Sequence, residues 1–254
     1  SGVTKVVYPH NDMAALEKLL HEHRQVPVKM IVTDGVFSME GSIVDLPTLV
    51  DIAARYQAVT VVDDCHGVGV LGASGRGVVE HFGAAVAGRV DIITGTLGKA
   101  LGGGAGGYVA GPVAVIEMLK QAARPHLFSN AISPATAATS LAALQVLQEE
   151  PGRLTQLHSN VKHFRATLAQ LGLRPGGGTT GIVPIILGET ALAIEAAAKA
   201  LTAGVMVTGF GYPVVPEGQA RLRAQISAGH TTLQLTAAAQ VLADVVRQIP
   251  AAGR

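Results

Sequence analysis

Apolar and polar positions along this chain come in blocks with two different periods. Residues 11–25, NDMAALEKLLHEHRQ, have the helical period and predict an amphipathic helix capped by Asn11 or Asp12. LPTLVDIAARYQ, residues 46–57, predicts a second helix. Between them VKMIVTD, residues 28–34, is a continuous apolar run ending in Asp34, the pattern of a strand buried on both faces. TKVVY (4–8), AVTVVDD (58–64), VDIITGT (90–96) and the short GGYVAG (106–111) also predict strands, and GVFSMEGSIVDLP (35–47) a loop. This βαβ rhythm belongs to α/β folds with a mostly parallel sheet between helices.

The pattern changes at SPATAATSLAALQVLQEE, residues 133–150, where long helices run to about Leu171. GIVPIIL (181–187), a helix near 190–203, VMVTG (205–209), ARLRAQIS (220–227) and a last helix over 231–249 then predict a smaller α+β domain. The expected division is 1–150 and 151–254, with the boundary in EEPGR, residues 149–153. RPGGGTTG, residues 174–181, reads as a flexible loop.

Composition adds exclusions. The 254 residues are 48% hydrophobic, enough for a sizeable core. Nineteen basic against 18 acidic residues give a net charge of +1, which argues for neither nucleic acid nor an anionic membrane as partner. No apolar run reaches the roughly 18 residues of a membrane span. One cysteine excludes an internal disulfide framework and fits a reducing compartment, the cytoplasm or a mitochondrial matrix. The start, SGVTKVVYPHNDM, has no signal-peptide pattern and no initiator Met, so the chain is expected to come from the interior of a longer protein.

Ligands of open parallel sheets bind outside the carboxyl ends of the strands. Three features fall at such ends: Ser38 after VKMIVTD, Asp63 to His66 (DDCH) after AVTVV, and TGTLGK, residues 94–99, after VDII. GVGVLG, residues 67–72, matches a dinucleotide fingerprint, but ASGRG continues the loop where a helix should open. GTLGKA has too few residues between its glycines for a phosphate loop and lacks the hydroxyl after lysine. DDCH has no second cluster at zinc spacing, so no metal is expected.

Pyridoxal phosphate uses all three features. Its aldehyde needs a lysine, for which Lys99 qualifies. Its ring nitrogen stays protonated beside a carboxylate, for which Asp63 qualifies. His66 is near enough in sequence to reach the phenolic oxygen, and Thr96 offers a hydroxyl to the phosphate. Taken singly, Asp63 reads as a strand-end acid, His66 as structural and Lys99 as a surface loop residue. Their joint arrangement favours the site.

VVDDCHGVGVLGASGRG and DIITGTLGKALGGGAGGY together resemble the α-oxoamine synthases, pyridoxal phosphate enzymes with the fold-type I aminotransferase fold. VTDGVFSMEG, RPHLFSNAISPA and GFGYPVVPEGQARLRAQISAGHT are most similar to the glycine C-acetyltransferase branch of threonine breakdown. The resemblance covers nearly the whole chain and implies a large cofactor domain and a small C-terminal one. It implies a Schiff base at Lys99, which also moves the glycine Cα proton, with Asp63 and His66 as further catalytic groups. It places Ser38, Asp63, His66, Thr96 and Lys99 at the cofactor. Ser129 and Asn130 would reach the phosphate of a neighbouring subunit in a homodimer, and Arg223 would hold the substrate carboxylate. The implied reaction interconverts glycine plus acetyl-CoA with 2-amino-3-oxobutanoate plus CoA. The rival 8-amino-7-oxononanoate synthases share the cofactor motifs and differ in the last segment.

By the same resemblance the chain corresponds to the later two thirds of a family member. A glycine-rich phosphate-binding stretch and a ring-stacking histidine are missing, so the chain alone is expected to be inactive or weakly folded. A non-catalytic truncated partner subunit is the alternative from another class. Against it, the lysine, both cofactor contacts and Arg223 are all present.

Overall fold

Asp12 opens the first helix: its Oδ1 accepts the Ala15 amide at 2.9 Å, and α1 spans Met13–Glu22. A computed structural model describes residues 2–249 and carries the elements that follow. They are β1 (Lys29–Asp34), α2 (Leu46–Tyr56), β2 (Ala58–Asp63), α3 (Val78–Phe82), β3 (Ile92–Thr96), β4 (Gly107–Ala110), α4 (Val113–Ala122), α5 (Arg124–Leu127) and α6 (Pro134–Glu149). After these come α7 (Gly152–Gln170), β5 (Ile182–Gly188), α8 (Thr190–Thr202), β6 (Thr208–Phe210), β7 (Ala220–Gln225) and α9 (Thr232–Gln248). No helix among the described residues is long and apolar enough to cross a membrane.

The chain divides into two units. One comprises Ser1–Val36 and Ile43–Glu149, the other Phe37–Ser42 and Glu150–Arg254. The second unit thus takes six residues from the loop after β1, which a contiguous division at 150 assigns to the first.

The first unit is built on a sheet of order β1-β2-β3-β4. β1–β2 and β2–β3 are parallel, and β3–β4 is antiparallel. Val62, Leu46, Leu49, Val50 and Ile52 form its core, with α2 packed on β2. Parallel alignment brings the carboxyl ends of three strands to one edge, where Asp34, Asp63 and Thr94 are register partners.

Two sequence expectations fail here. Residues 4–8 are not a strand; Val3, Val6 and Val7 are exposed and pair with none of the described strands. β1 is covered on one face only. Ile31 and Thr33 are buried, whereas Met30 and Val32 are 56% and 61% exposed. The face that carries Met30 and Val32 is left uncovered in the described residues, so a wholly apolar strand sequence does not ensure burial on both faces.

The second unit has an antiparallel sheet of order β5-β7-β6. Leu154, Leu157, Phe164 and Leu168 of α7 and Leu235, Ala239 and Leu242 of α9 form its core with Ile185 and Leu222 of the sheet. α9 starts with a reciprocal capping box between Thr231 and Gln234. RPGGGTTG is packed and not a free loop. Thr180 is buried and donates to Gly41 O at 2.8 Å, and Gly177, at φ +78°, lies against Glu40 O where a Cβ would collide.

Candidate active site

β2 ends in two adjacent carboxylates with opposite environments. Asp63 is half-buried at the sheet edge and accepts the Cys65 amide at 2.9 Å. Burial raises its pKa, but hydrogen bonds from Cys65 and Thr94 and the Lys99 charge outweigh this and hold it below the ordinary value. Asp63 therefore stays ionised. Asp64, one residue on, points into the fold and is 2% exposed. Its Oδ2 accepts the Val78 amide at 2.8 Å, at the start of α3, while Oδ1 has no partner among the described residues. Burial, helped by the Asp63 charge and opposed by that amide, pushes its pKa up to about 7. Gly67 and Gly77 press so closely on this carboxylate that neither leaves room for a Cβ.

The sheet edge also carries the rest of DDCH. Burial and the Asp63 charge push the Cys65 thiol up to about 11, so it is a neutral thiol near pH 7. His66 is half-buried in the turn that follows. In GVGVLG the Val70 and Leu71 amides donate back to Gly67 O, and no helix starts until α3 at Val78. A dinucleotide fingerprint needs a helix opening at the glycines to bind pyrophosphate, so this segment is a turn.

Lys99 follows β3 in a tight turn. Gly102 N–H donates to Lys99 O at 3.0 Å and Gly103 N–H to Leu97 O at 2.7 Å. The Lys99 side chain is exposed, and its charge reaches Asp63. Thr96 Oγ1 accepts the Gly98 amide and donates to Gly106 O, both at 3.2 Å. Gly103 is a steric requirement of this turn. Gly103 lies against Ser140 of α6, and Thr139 Oγ1 donates to Gly103 O at 3.0 Å, so α6 clamps the turn. Ser129 and Asn130 are exposed just beyond α5.

Ser38 and Arg223 belong to the second unit. Arg223 Nη1 donates to Ser38 O at 2.9 Å, and its guanidinium lies 4.8 Å from the Phe210 ring centroid. Its Nε is buried without a partner among the described residues, and burial lowers its pKa. A desolvated cation with an unused donor fits a carboxylate. The structure thus brings Lys99, Asp63, Thr96 and His66 to one strand edge of the first unit, and Ser38 and Arg223 together in the second. The sequence reading missed Asp64, buried behind Asp63, and Arg221, the first arginine of RLR. Arg221 forms an ion pair with Glu40. The signal available for both was an adjacent or alternate copy of a residue already chosen.

No group of His, Cys, Asp and Glu among the described residues forms a metal site. The donor set fits pyridoxal phosphate instead. An ionised strand-end carboxylate suits a pyridinium nitrogen, and a nearby lysine suits the aldehyde.

Comparison with known proteins gives the same assignment. The family model for aminotransferase class I and II matches residues 1–242. The 2-amino-3-ketobutyrate coenzyme A ligase of Salmonella typhimurium is 44% identical over 244 residues, covering 95% of this chain and 61% of that protein. An 8-amino-7-oxononanoate synthase from Thermoanaerobacter pseudethanolicus is 45% identical over 245 residues, 96% of this chain and 61% of that protein. A solved structure of serine palmitoyltransferase with its pyridoxal phosphate internal aldimine superposes with a TM-score of 0.87 at 30% identity. That match covers 94% of this chain and 60% of the other. The chain therefore spans about three fifths of the length of these relatives.

Proposed function

The chain belongs to the aminotransferase class I and II family, and on that premise we propose that its protein is an α-oxoamine synthase joining glycine to acetyl-CoA. Its cofactor is pyridoxal phosphate, held on the fold-type I scaffold. The observation that carries the reading is Asp63, kept ionised at the carboxyl end of β2 with the Lys99 charge beside it.

When bound, the cofactor supplies an electron sink for the pair left behind when a Cα proton departs. Asp63 would hold the proton on the ring nitrogen, and His66 would orient the ring through its phenolic oxygen. Thr96 and Ser38 would bind around the cofactor, and Ser129 and Asn130 would bind the phosphate of a partner subunit in a homodimer. Arg223 binds the glycine carboxylate with its fork. Lys99 Nζ would take the glycine Cα proton. As the Cα–carbonyl bond to the acetyl group forms and the thioester C–S bond breaks, that proton would pass to the leaving thiolate, so that CoA departs as its thiol. The reverse direction cleaves 2-amino-3-oxobutanoate with CoA. The similarity of the 8-amino-7-oxononanoate synthases supports a second reading, a related acylation in which alanine replaces glycine, the acyl group is longer and the amino-acid carboxylate leaves as carbon dioxide.

Borohydride reduction in the presence of pyridoxal phosphate, followed by peptide mass mapping, tests the site. The expected result is one phosphopyridoxyl group on Lys99, absent in Lys99→Ala. No adduct at Lys99 in the intact protein would overturn the assignment and favour the non-catalytic partner. Turnover of glycine and of alanine, each with acyl-CoA esters of increasing length, separates the two substrate readings.

A further inference from the structure

Successive side chains of a strand point to opposite faces, so Arg221 and Arg223 of β7 share one face, opposite Leu222. Arg221 is 1% exposed and is the largest fully buried side chain described. Its Nε donates to Gln219 O at 3.0 Å and its Nη2 to Gln219 Oε1 at 3.4 Å. Its Nη1 donates to both Met39 O and Glu40 Oε1 at 3.1 Å. Arg223 Nη1 donates to Ser38 O, the preceding residue of the same loop. Two guanidinium groups on one strand face thus hold three consecutive loop residues. Thr180 Oγ1 and Gly178 N–H fasten the loop again at Gly41 O.

We infer that Arg221 is a positioning residue for substrate binding: by fixing Met39 and Glu40 against β7 it fixes the Ser38 carbonyl that aims the Arg223 fork. This rests on the proposed role of Arg223 as the carboxylate-binding group. A guanidinium held through one hydrogen bond can swing about it. The Phe210 ring limits tilting of the Arg223 plane, and the place of Ser38 O limits its rotation. That place is set one and two residues further on by Arg221. Stability alone does not account for the arrangement, because a buried ion pair is often no more stabilising than an apolar pair of the same volume. Lysine cannot replace it, since one ammonium on a flexible stem does not span Gln219, Met39 and Glu40 together.

The test uses the intact protein loaded with pyridoxal phosphate. Glycine affinity is measured by absorbance titration, KM and kcat for both substrates by steady-state kinetics, and amide exchange at Phe37 and Gly41 by mass spectrometry. Arg221→Lys should weaken glycine binding about tenfold or more, the scale of a lost hydrogen bond to a charged group. The acyl-CoA KM should stay within about twofold, because the lost contact lies on the carboxylate side. Exchange at Phe37 and Gly41 should accelerate, since their amides close the loop onto Ser42 O and Phe37 O. Glu40→Gln keeps the Oε1 acceptor and should behave like the unaltered protein, whereas Glu40→Ala should follow Arg221→Lys. Glu40 is one-third exposed, so its variants decide the matter if Arg221→Lys fails to fold. Unchanged glycine affinity in Glu40→Ala and Arg221→Lys, with affinity lost in Arg223→Lys, would overturn the positioning role and leave Arg223 in place. Unchanged affinity in Arg223→Lys would instead remove the reading of Arg223 itself. Equal losses toward both substrates in Glu40→Ala would mark a general structural role and also overturn the inference.

Discussion

Asp63 and Asp64 are neighbours in sequence, and burial raises both, but hydrogen bonds and the Lys99 charge reverse the outcome at Asp63 alone. Asp63 has a lowered pKa, so the folded chain binds fewer protons there than the unfolded chain. Its contribution to stability is present above the ordinary carboxylate range and lost as pH falls through the lowered value. Asp64 has the reverse sign. Unfolded, it releases its proton near 3.8; folded, it keeps it until about 7. Stability therefore falls as pH rises between these values and is level above them, by about 4 kcal/mol in all at 1.36 kcal/mol per unit. Denaturant unfolding of cofactor-free protein at pH 5 and pH 8 should show a larger loss for the unaltered chain than for Asp64→Asn. Equal losses would remove Asp64 as the source. The sequence shows two aspartates and nothing of this difference, because which carboxylate faces the edge and which the core is set by strand alternation against the whole sheet.

At the scale of elements, the Lys99 turn depends on a helix far along the chain. Gly103 has Ser140 of α6 against it on one side and Leu97 O on the other. Gly103→Ala should cost about 1–3 kcal/mol by overpacking and reduce phosphopyridoxyl labelling of Lys99, read by thermal melting and mass mapping. Ser140→Gly, which removes the nearest of these contacts and leaves Leu97 O in place, should restore part of the labelling in the double variant. Failure of any change in labelling would show that the clamp does not set the lysine. The helices and strands with clean periodicity, α1, α2, β2, β3 and α9, were legible in the sequence. α4 was not, although its apolar and polar positions alternate with a helical period as marked as that of α9; none of its residues is buried in the chain as described. RPGGGTTG is a loop, as its glycines predict, and what the sequence did not show is its anchoring at Thr180 and Gly177. Here Gly177 is the residue that allows a backbone to lie against Glu40 O. Of the candidate site, the residues at strand ends were legible because topology puts them there. Arg221 was not, because the sequence does not reveal that a guanidinium is fully buried.

At the scale of the molecule, one face of β1 and the residue just before the strand are apolar and uncovered. Val28, Met30 and Val32 alternate along one side and all three are exposed. An exposed apolar edge strand is a template for association. The 254-residue chain should therefore self-associate with increasing concentration. Met30→Lys combined with Val32→Lys should reduce this in sedimentation velocity, and unchanged association would point to another face. The division into units has a consequence for dissection of the gene. The C-terminal unit is not a contiguous piece of sequence. A fragment beginning at Glu150 lacks Phe37–Ser42, and with it the counter-charge of a guanidinium that the fold keeps out of water. Splitting the coding sequence at that point would yield a module with an orphaned buried cation. Recombination between relatives is thereby constrained to exchange the hexapeptide FSMEGS and the strand ARLRAQ as a matched set, although 177 residues of other sequence separate Ser42 from Ala220.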